Sequence, residues 1–99
     1  MPAYVIADIE VLDPVEYEEY KRLATPTVAQ FGGRYIVRGG TVEVIEGDWE
    51  PRRVVVIEFP TLEQARAWYH SEAYARARAI RHRTARSRLI LVEGLPPTS

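Results

Sequence analysis

Phe31-Gly32-Gly33-Arg34-Tyr35-Ile36-Val37-Arg38-Gly39-Gly40 reads as a short strand held between two glycine pairs, and it carries two arginines. Strand side chains alternate, so the spacing predicts Arg34, Ile36 and Arg38 on one face and Tyr35 and Val37 on the other. Two guanidinium groups on a central strand require one of two things. Either carboxylates inside the fold or at a subunit interface pair with them, or they await an anionic ligand in a water-accessible pocket.

Upstream of this strand, residues 3–12 (AYVIADIEVL) alternate with Val5, Ala7, Ile9 and Val11 on one face and Tyr4, Ile6, Asp8 and Glu10 on the other. Asp13-Pro14 then opens a helix, with Asp13 able to cap it, Pro14 at the favoured first position and Glu16 three residues past the cap. The predicted buried stripe is Tyr17, Tyr20, Ala24 and Val28, with Glu18, Glu19, Lys21 and Arg22 on the wet side. Thr25-Pro26 predicts a kink, or the start of a second short helix ending at Gly32 in the left-handed conformation.

Downstream, Gly39-Gly40 makes a tight connection to Thr41-Val42-Glu43-Val44-Ile45-Glu46, and residues 47–51 (GDWEP) turn the chain again, which predicts a meander. Residues 53–59 (RVVVIEF) are the most β-branched run and are expected at the centre of the sheet. Thr61 and Gln64 stand at capping-box spacing before a helix with Ala65, Trp68 and Tyr69 on its apolar side. Ser71 restarts the helix, Tyr74, Ala77 and Arg81 share one side of the new piece, and residues 88–93 (RLILVE) form a last strand.

The order is strand, helix, strand, strand, helix, strand: a ferredoxin-like βαββαβ α+β sandwich, an antiparallel sheet with helices on one face. Ile6, Ile36, Val54 and Val56 on the other face need cover, and a twofold partner supplies it most economically. The expectation is a homodimer with its sheets face to face, a dimeric α+β barrel.

The 99 residues make one domain over 1–99, with residues 94–99 as a tail that is either loose or reaching a partner. With 46% hydrophobic and 27% charged residues and a net charge of −1, the chain is neither a disordered tail nor a polybasic arm. It has no cysteine, so disulfides and thiolate sites are excluded. No signal-peptide pattern and no apolar run of membrane-spanning length is present, which predicts a cytoplasmic protein with no membrane partner. Arg76, Arg78, Arg81, Arg83, Arg86 and Arg88 could neutralise phosphates. That run crosses a helix-to-strand boundary, is balanced by the acidic first helix and belongs to a chain of pI 6.1, so no nucleic-acid partner is expected.

Each candidate site residue has a structural alternative. Arg34 and Arg38 fit an anion site in which Arg38 anchors the anion and Arg34 or Glu58 organises Arg38, or they fit ion pairs with Asp8, Glu43 or Glu58. Trp68, Tyr69 and Tyr74 form the wall of a small-molecule pocket, or simply pack helix on sheet. His70 and His82 titrate nearest neutrality. Twelve residues apart on one helix, they would point roughly 120° apart, which argues against a metal pair. His70, at the helix break, is the reserve base beside Arg38 as catalytic candidate; no metal site and no cofactor is expected.

The joint pattern Asp13-Pro14, Tyr17, Tyr20, Gly32-Gly33-Arg34, Val37-Arg38-Gly39-Gly40, Glu46-Gly47, Ile57-Glu58-Phe59-Pro60, Trp68-Tyr69, Ser71, Tyr74, Arg81 and Val92-Glu93-Gly94 resembles domain-of-unknown-function family 1330. The resemblance spans nearly the whole chain; the arginines at 83, 86 and 88 depart from it. It implies the dimeric α+β-barrel superfamily, which includes cofactor-independent monooxygenases, muconolactone isomerase-like proteins and haem-binding members. The resemblance thus implies the fold, the dimer and a pocket, and leaves the chemistry open. Together with the arginines, the expectation is a pocket for a small anionic metabolite, with oxygenase or isomerase chemistry as one reading; the alternative is a non-catalytic structural or ligand-binding dimer.

Overall fold

The computed structural model describes residues 1–96; the end of the expected tail, residues 97–99, lies outside the described residues. Four strands and three helices follow in the order β1 (Ala3–Val11), α1 (Pro14–Gln30), β2 (Arg34–Arg38), β3 (Arg53–Phe59), α2 (Leu62–His70), α3 (Glu72–Thr84) and β4 (Ala85–Glu93). The strands form one antiparallel sheet in the order β2-β3-β1-β4. This is the ferredoxin-like βαββαβ arrangement.

Local chemistry sets the element boundaries. The Asp13 carboxylate accepts the Glu16 N–H at 3.1 Å to start α1, and the Thr61 hydroxyl accepts the Gln64 N–H at 3.1 Å to start α2. Ser71 ends α2 and begins α3, accepting the Tyr74 N–H at 3.1 Å while its own hydroxyl donates to the Trp68 carbonyl at 2.8 Å. The Gln64 side chain reaches the Phe31 carbonyl at 3.2 Å, joining the C-terminus of α1 to the start of α2.

One sheet face is dry. Ala3, Val5, Ala7 and Ile9 of β1 and Val55, Ile57 and Phe59 of β3 are buried against Tyr17, Ala24 and Val28 of α1, Ala65 and Trp68 of α2, and Tyr74 and Ala77 of α3. Every one of the alternating positions of β1 and the stripe positions Tyr17, Ala24 and Val28 lies where periodicity put it.

Four features differ from the sequence expectation. β2 is an edge strand, paired with β3 alone, so β1 and β3 share the centre. α1 runs unbroken through Pro26; the Thr25 hydroxyl donates to the Lys21 carbonyl at 2.7 Å beside the position where proline has no N–H to offer. Thr41–Glu46 forms no strand, and among the described residues no backbone–backbone hydrogen bond ties it to the sheet. β4 begins at Ala85, three residues earlier than the apolar run suggests, because β1 supplies a partner as far as Val11.

The opposite face of the sheet is apolar at its middle and charged at one end. Ile6 stands between Val56 and Ile90, and Tyr4 between Glu58 and Val92. Asp8 stands between Val54 and Arg88. Ile36, Ile90 and Val92 are exposed there, while Ile6, Val54 and Val56 are half-buried.

An arginine–tyrosine cavity as candidate functional site

A bulge in β2 decides which arginines meet. Arg34 is opposite Glu58 and Tyr35 opposite Ile57, but Val37 is opposite Val56 and Arg38 opposite Val55, so Ile36 is an extra residue. The insertion inverts the alternation. Arg34 lies on the outer face, where its Nε donates to Glu58 at 2.9 Å, an exposed ion pair. Arg38 lies on the helix face with Tyr35, its guanidinium 4.1 Å over that ring and its Nη2 donating to the Thr25 hydroxyl at 2.8 Å. The two arginines therefore do not share a face. Arg34 and Glu58 stand apart from Arg38, Trp68 and Tyr74, and neither can organise Arg38.

Two further arginines share the helix face. Arg53, opposite Ile9, reaches toward the Tyr17 ring, 6.0 Å away, and packs against Gly39, where an added Cβ would overlap its guanidinium. Gly39 has a φ of +72°, and this left-handed backbone is what favours glycine there, since the Arg53 guanidinium could swing aside for a Cβ. Arg81 of α3 is 2% exposed. Its Nη1 donates to the Ser87 hydroxyl and its Nε to the Tyr74 hydroxyl at a long 3.4 Å. Its Nη2 has no partner. Among the described residues two buried side-chain polar atoms are unpartnered, Arg53 Nε and Arg81 Nη2. Both belong to residues lining the same cavity, of ≈ 20 Å³, together with Tyr20, Tyr35, Arg38 and Trp68. That volume suits about one water.

None of the four ion pairs among the described residues includes Arg38, Arg53 or Arg81. Guanidinium keeps its proton even when buried, so the cavity carries fixed positive charge in a low-dielectric setting. The aromatic wall supplies neutral donors. Burial pushes the Tyr20 phenol far above its ordinary value, and Tyr74, whose hydroxyl is 2.9 Å away, adds to this. Burial also raises Tyr17 against the opposing charge of Arg53, and Tyr35 against that of Arg38. Trp68 stacks 4.2 Å from Tyr74 and donates its indole N–H to Thr27 at 3.0 Å. Such a site can hold an anion and donate hydrogen bonds to it.

The remaining sequence candidates lie outside the cavity. Tyr69 packs on Trp68 and Arg78 at the half-buried surface. His70 ends α2 and His82 lies in α3, so they do not share a helix, and both are exposed. Burial and the Arg81 and Arg78 charges lower the His82 imidazole below its ordinary value. No group of three or more His, Cys, Asp or Glu that could hold a metal ion occurs among the described residues.

A larger cavity, ≈ 680 Å³, opens on the outer face between the sheet and residues 48–52, lined by Asp8, Glu10, Trp49, Arg52, Arg86 and Arg88 among others. The Trp49 indole and the Arg52 N–H each donate to the Asp8 carboxylate at 3.0 Å, strapping the connection onto β1. Its lining carries both signs of charge and stands open to water, so uncompensated charge singles out the smaller cavity.

The match to a family model runs over residues 2–95, "Domain of unknown function (DUF1330)". The chain belongs to the DUF1330 family. No curated protein matches this DUF1330 chain. Solved structures do. RPA0582 from Rhodopseudomonas palustris, a protein of unknown function, is 20% identical with a TM-score of 0.75, over 97% of this chain and 84% of that one. SnoaB, a cofactor-independent oxygenase from Streptomyces nogalater, is 12% identical with a TM-score of 0.66, over 96% and 94%. An antibiotic biosynthesis monooxygenase is 14% identical with a TM-score of 0.53, over 97% and 100%. At these identities the likeness establishes the fold.

Arg81 and Arg53 bring the unpartnered buried nitrogens to the cavity; the sequence reading put Arg81 on the apolar side of its helix but named neither as a site residue. Each left a signal. Arg81 falls on the apolar stripe of its helix, seven residues from Tyr74, and Arg53 begins the alternating row Val55, Ile57, Phe59 that faces the helices. A cation at a core position of the pattern was the clue.

Proposed function

We propose that this protein binds a small anionic organic molecule between its helices and its sheet, acting as a homodimer. The carrying observation is the buried Arg81 guanidinium with Nη2 unpartnered and no carboxylate paired to it. Arg81 and Arg53 hold the anion, Tyr20 donates a hydrogen bond to it while accepting from the Tyr74 hydroxyl, Trp68 gives an apolar wall, and Arg38 closes the mouth. The cavity takes about one water, so a ligand enters by displacing the rim. Arg38 and Tyr35 are the movable part, since they sit on a five-residue edge strand interrupted by a bulge.

A cofactor-independent oxygenase or isomerase fits this arrangement, and the fold shared with SnoaB supports the reading. A positive cavity would stabilise an enolate-like intermediate without an added group. A second reading, a non-catalytic binding module, is favoured by one observation: the residues lining the cavity include no histidine and no carboxylate to serve as base. The homodimer is supported by the apolar row Val56, Ile6 and Ile90 across the outer face.

Thermal unfolding against a panel of small aromatic and dicarboxylic acids tests the proposal. A ligand at a hundredfold over its dissociation constant adds about 2.7 kcal/mol, a rise of about ten degrees or more for this size. A selective rise that vanishes in folded Arg81→Met protein supports the anion site, and turnover or oxygen consumption with the responding acids then separates enzyme from module. A flat response across the panel refutes the site.

A further inference from the structure

Thr41–Glu46 has the composition of a strand and the surroundings of none. Val42, Val44 and Ile45 are exposed, Ile45 to 85%, and Gly39 and Gly47, both with positive φ, bracket the segment. The radius of gyration, 13.8 Å against about 13 Å for a compact chain of this length, fits an arm standing off the body. At the far end of the sheet β4 presents nine residues with one side unpaired, and Ile90, Leu91 and Val92 are exposed along it. The other edge, β2, is short and bulged, which is how edges are protected from pairing; β4 lacks that protection.

We infer that Thr41–Glu46 of one copy adds as an antiparallel strand to the free edge of β4 in a second copy, the two copies exchanging arms about a twofold axis. Charge selects this occupant. Residues 41–50 hold Glu43, Glu46, Asp48 and Glu50 and no cation, whereas β4 holds Arg86 and Arg88, neither in an ion pair among the described residues. One register matches the whole outer face. With Val44 opposite Ile90, Val42 meets Val92 and Glu46 meets Arg88 there; on the helix face Ile45 meets Leu89, and Glu43 meets Leu91, which is exposed. A parallel strand would instead set Glu46 against an apolar residue when its valines met the arginines. The inference rests on the homodimer reading and goes beyond it by naming the segment, the edge and the register.

The absence of cysteine allows a direct test. Val44→Cys and Ile90→Cys chains, coexpressed and mildly oxidised, are expected to link as a mixed disulfide dimer on a non-reducing gel, while Val15→Cys with Ile90→Cys stays unlinked. Light scattering reports the oligomer independently. A dimer without the 44–90 link, or with only 90–90 links, overturns arm exchange and leaves the homodimer standing; a monomer overturns both. Charge reversal gives the second readout. Glu46→Arg and Arg88→Glu are each expected to weaken dimerisation about two- to fivefold, the size of a cross-strand pair, and the double reversal to restore it. A double variant as weak as the two losses combined overturns the register.

Discussion

Arg81 is a buried cation among aromatic rings, and such a group costs the fold more than an apolar side chain of similar length would. Arg81→Met is therefore expected to unfold at the same temperature or a few degrees higher, while losing any response to organic anions. Thermal unfolding with and without ligand checks both halves; a large drop in Tm would make Arg81 a structural keystone instead. Arg81→Lys keeps the charge but loses the planar fork, and should lower anion affinity about tenfold or more by titration calorimetry. Tyr20→Phe removes the hydroxyl bonded to Tyr74 at 2.9 Å and is expected to cost about 1 kcal/mol in denaturant unfolding. The residue scale is where the sequence was least legible. Arg34 with Glu58 was foreseen as one of several pairs, but Arg53 and Arg81 take their meaning from a cavity assembled by all seven elements.

Helix and strand boundaries were more legible, because caps and periodicity are local. Asp13, Thr61 and Ser71 all cap where their spacing to the next elements suggested. Ser71→Ala removes the start of α3 and should cost about 1 kcal/mol, or roughly 4–8 °C in Tm. Gly33→Ala should cost about 1–3 kcal/mol, since a Cβ there would come within 2.6 Å of the Phe59 ring. Thr41–Glu46 misled because alternation predicts a strand only where a neighbour exists to pair with it. The strap at its far end titrates. The Trp49 hydrogen bond, opposed by slight burial and aided by the Arg52 N–H, lowers the Asp8 carboxyl below its reference value of 3.8. With the folded value depressed, the strap's contribution is present above the unfolded value and lost as pH falls through the folded one. Trp49 fluorescence should therefore change in acid below about pH 4, and Asp8→Asn should abolish that transition.

The whole molecule is a thin slab, 16 Å in its shortest dimension, with helices on one side and a bare sheet on the other. No helix among the described residues is long and apolar enough to cross a membrane. A dimer through the bare face would make Tm rise with protein concentration, and Ile6→Glu should abolish that dependence with the helix-side cavity intact. Overall topology was readable because the element order leaves one economical sheet. Which strand lay at the edge was not, because strand order depends on long-range pairing that no local pattern records.

The extra residue at Ile36 is one that the cavity can lose. Deleting it would leave Val37 opposite Val56 and Arg38 opposite Val55, plain alternation from Arg34 onward, with Arg38 still on the helix face beside Tyr35. Keeping all five residues and pairing the bulge away would do the opposite, setting Arg38 opposite Val54 on the outer face beside Arg34. Among descendants of this chain, a β2 one residue shorter is thus expected to keep the arginine at the mouth of the cavity, whereas a β2 of equal length without the bulge would lose it.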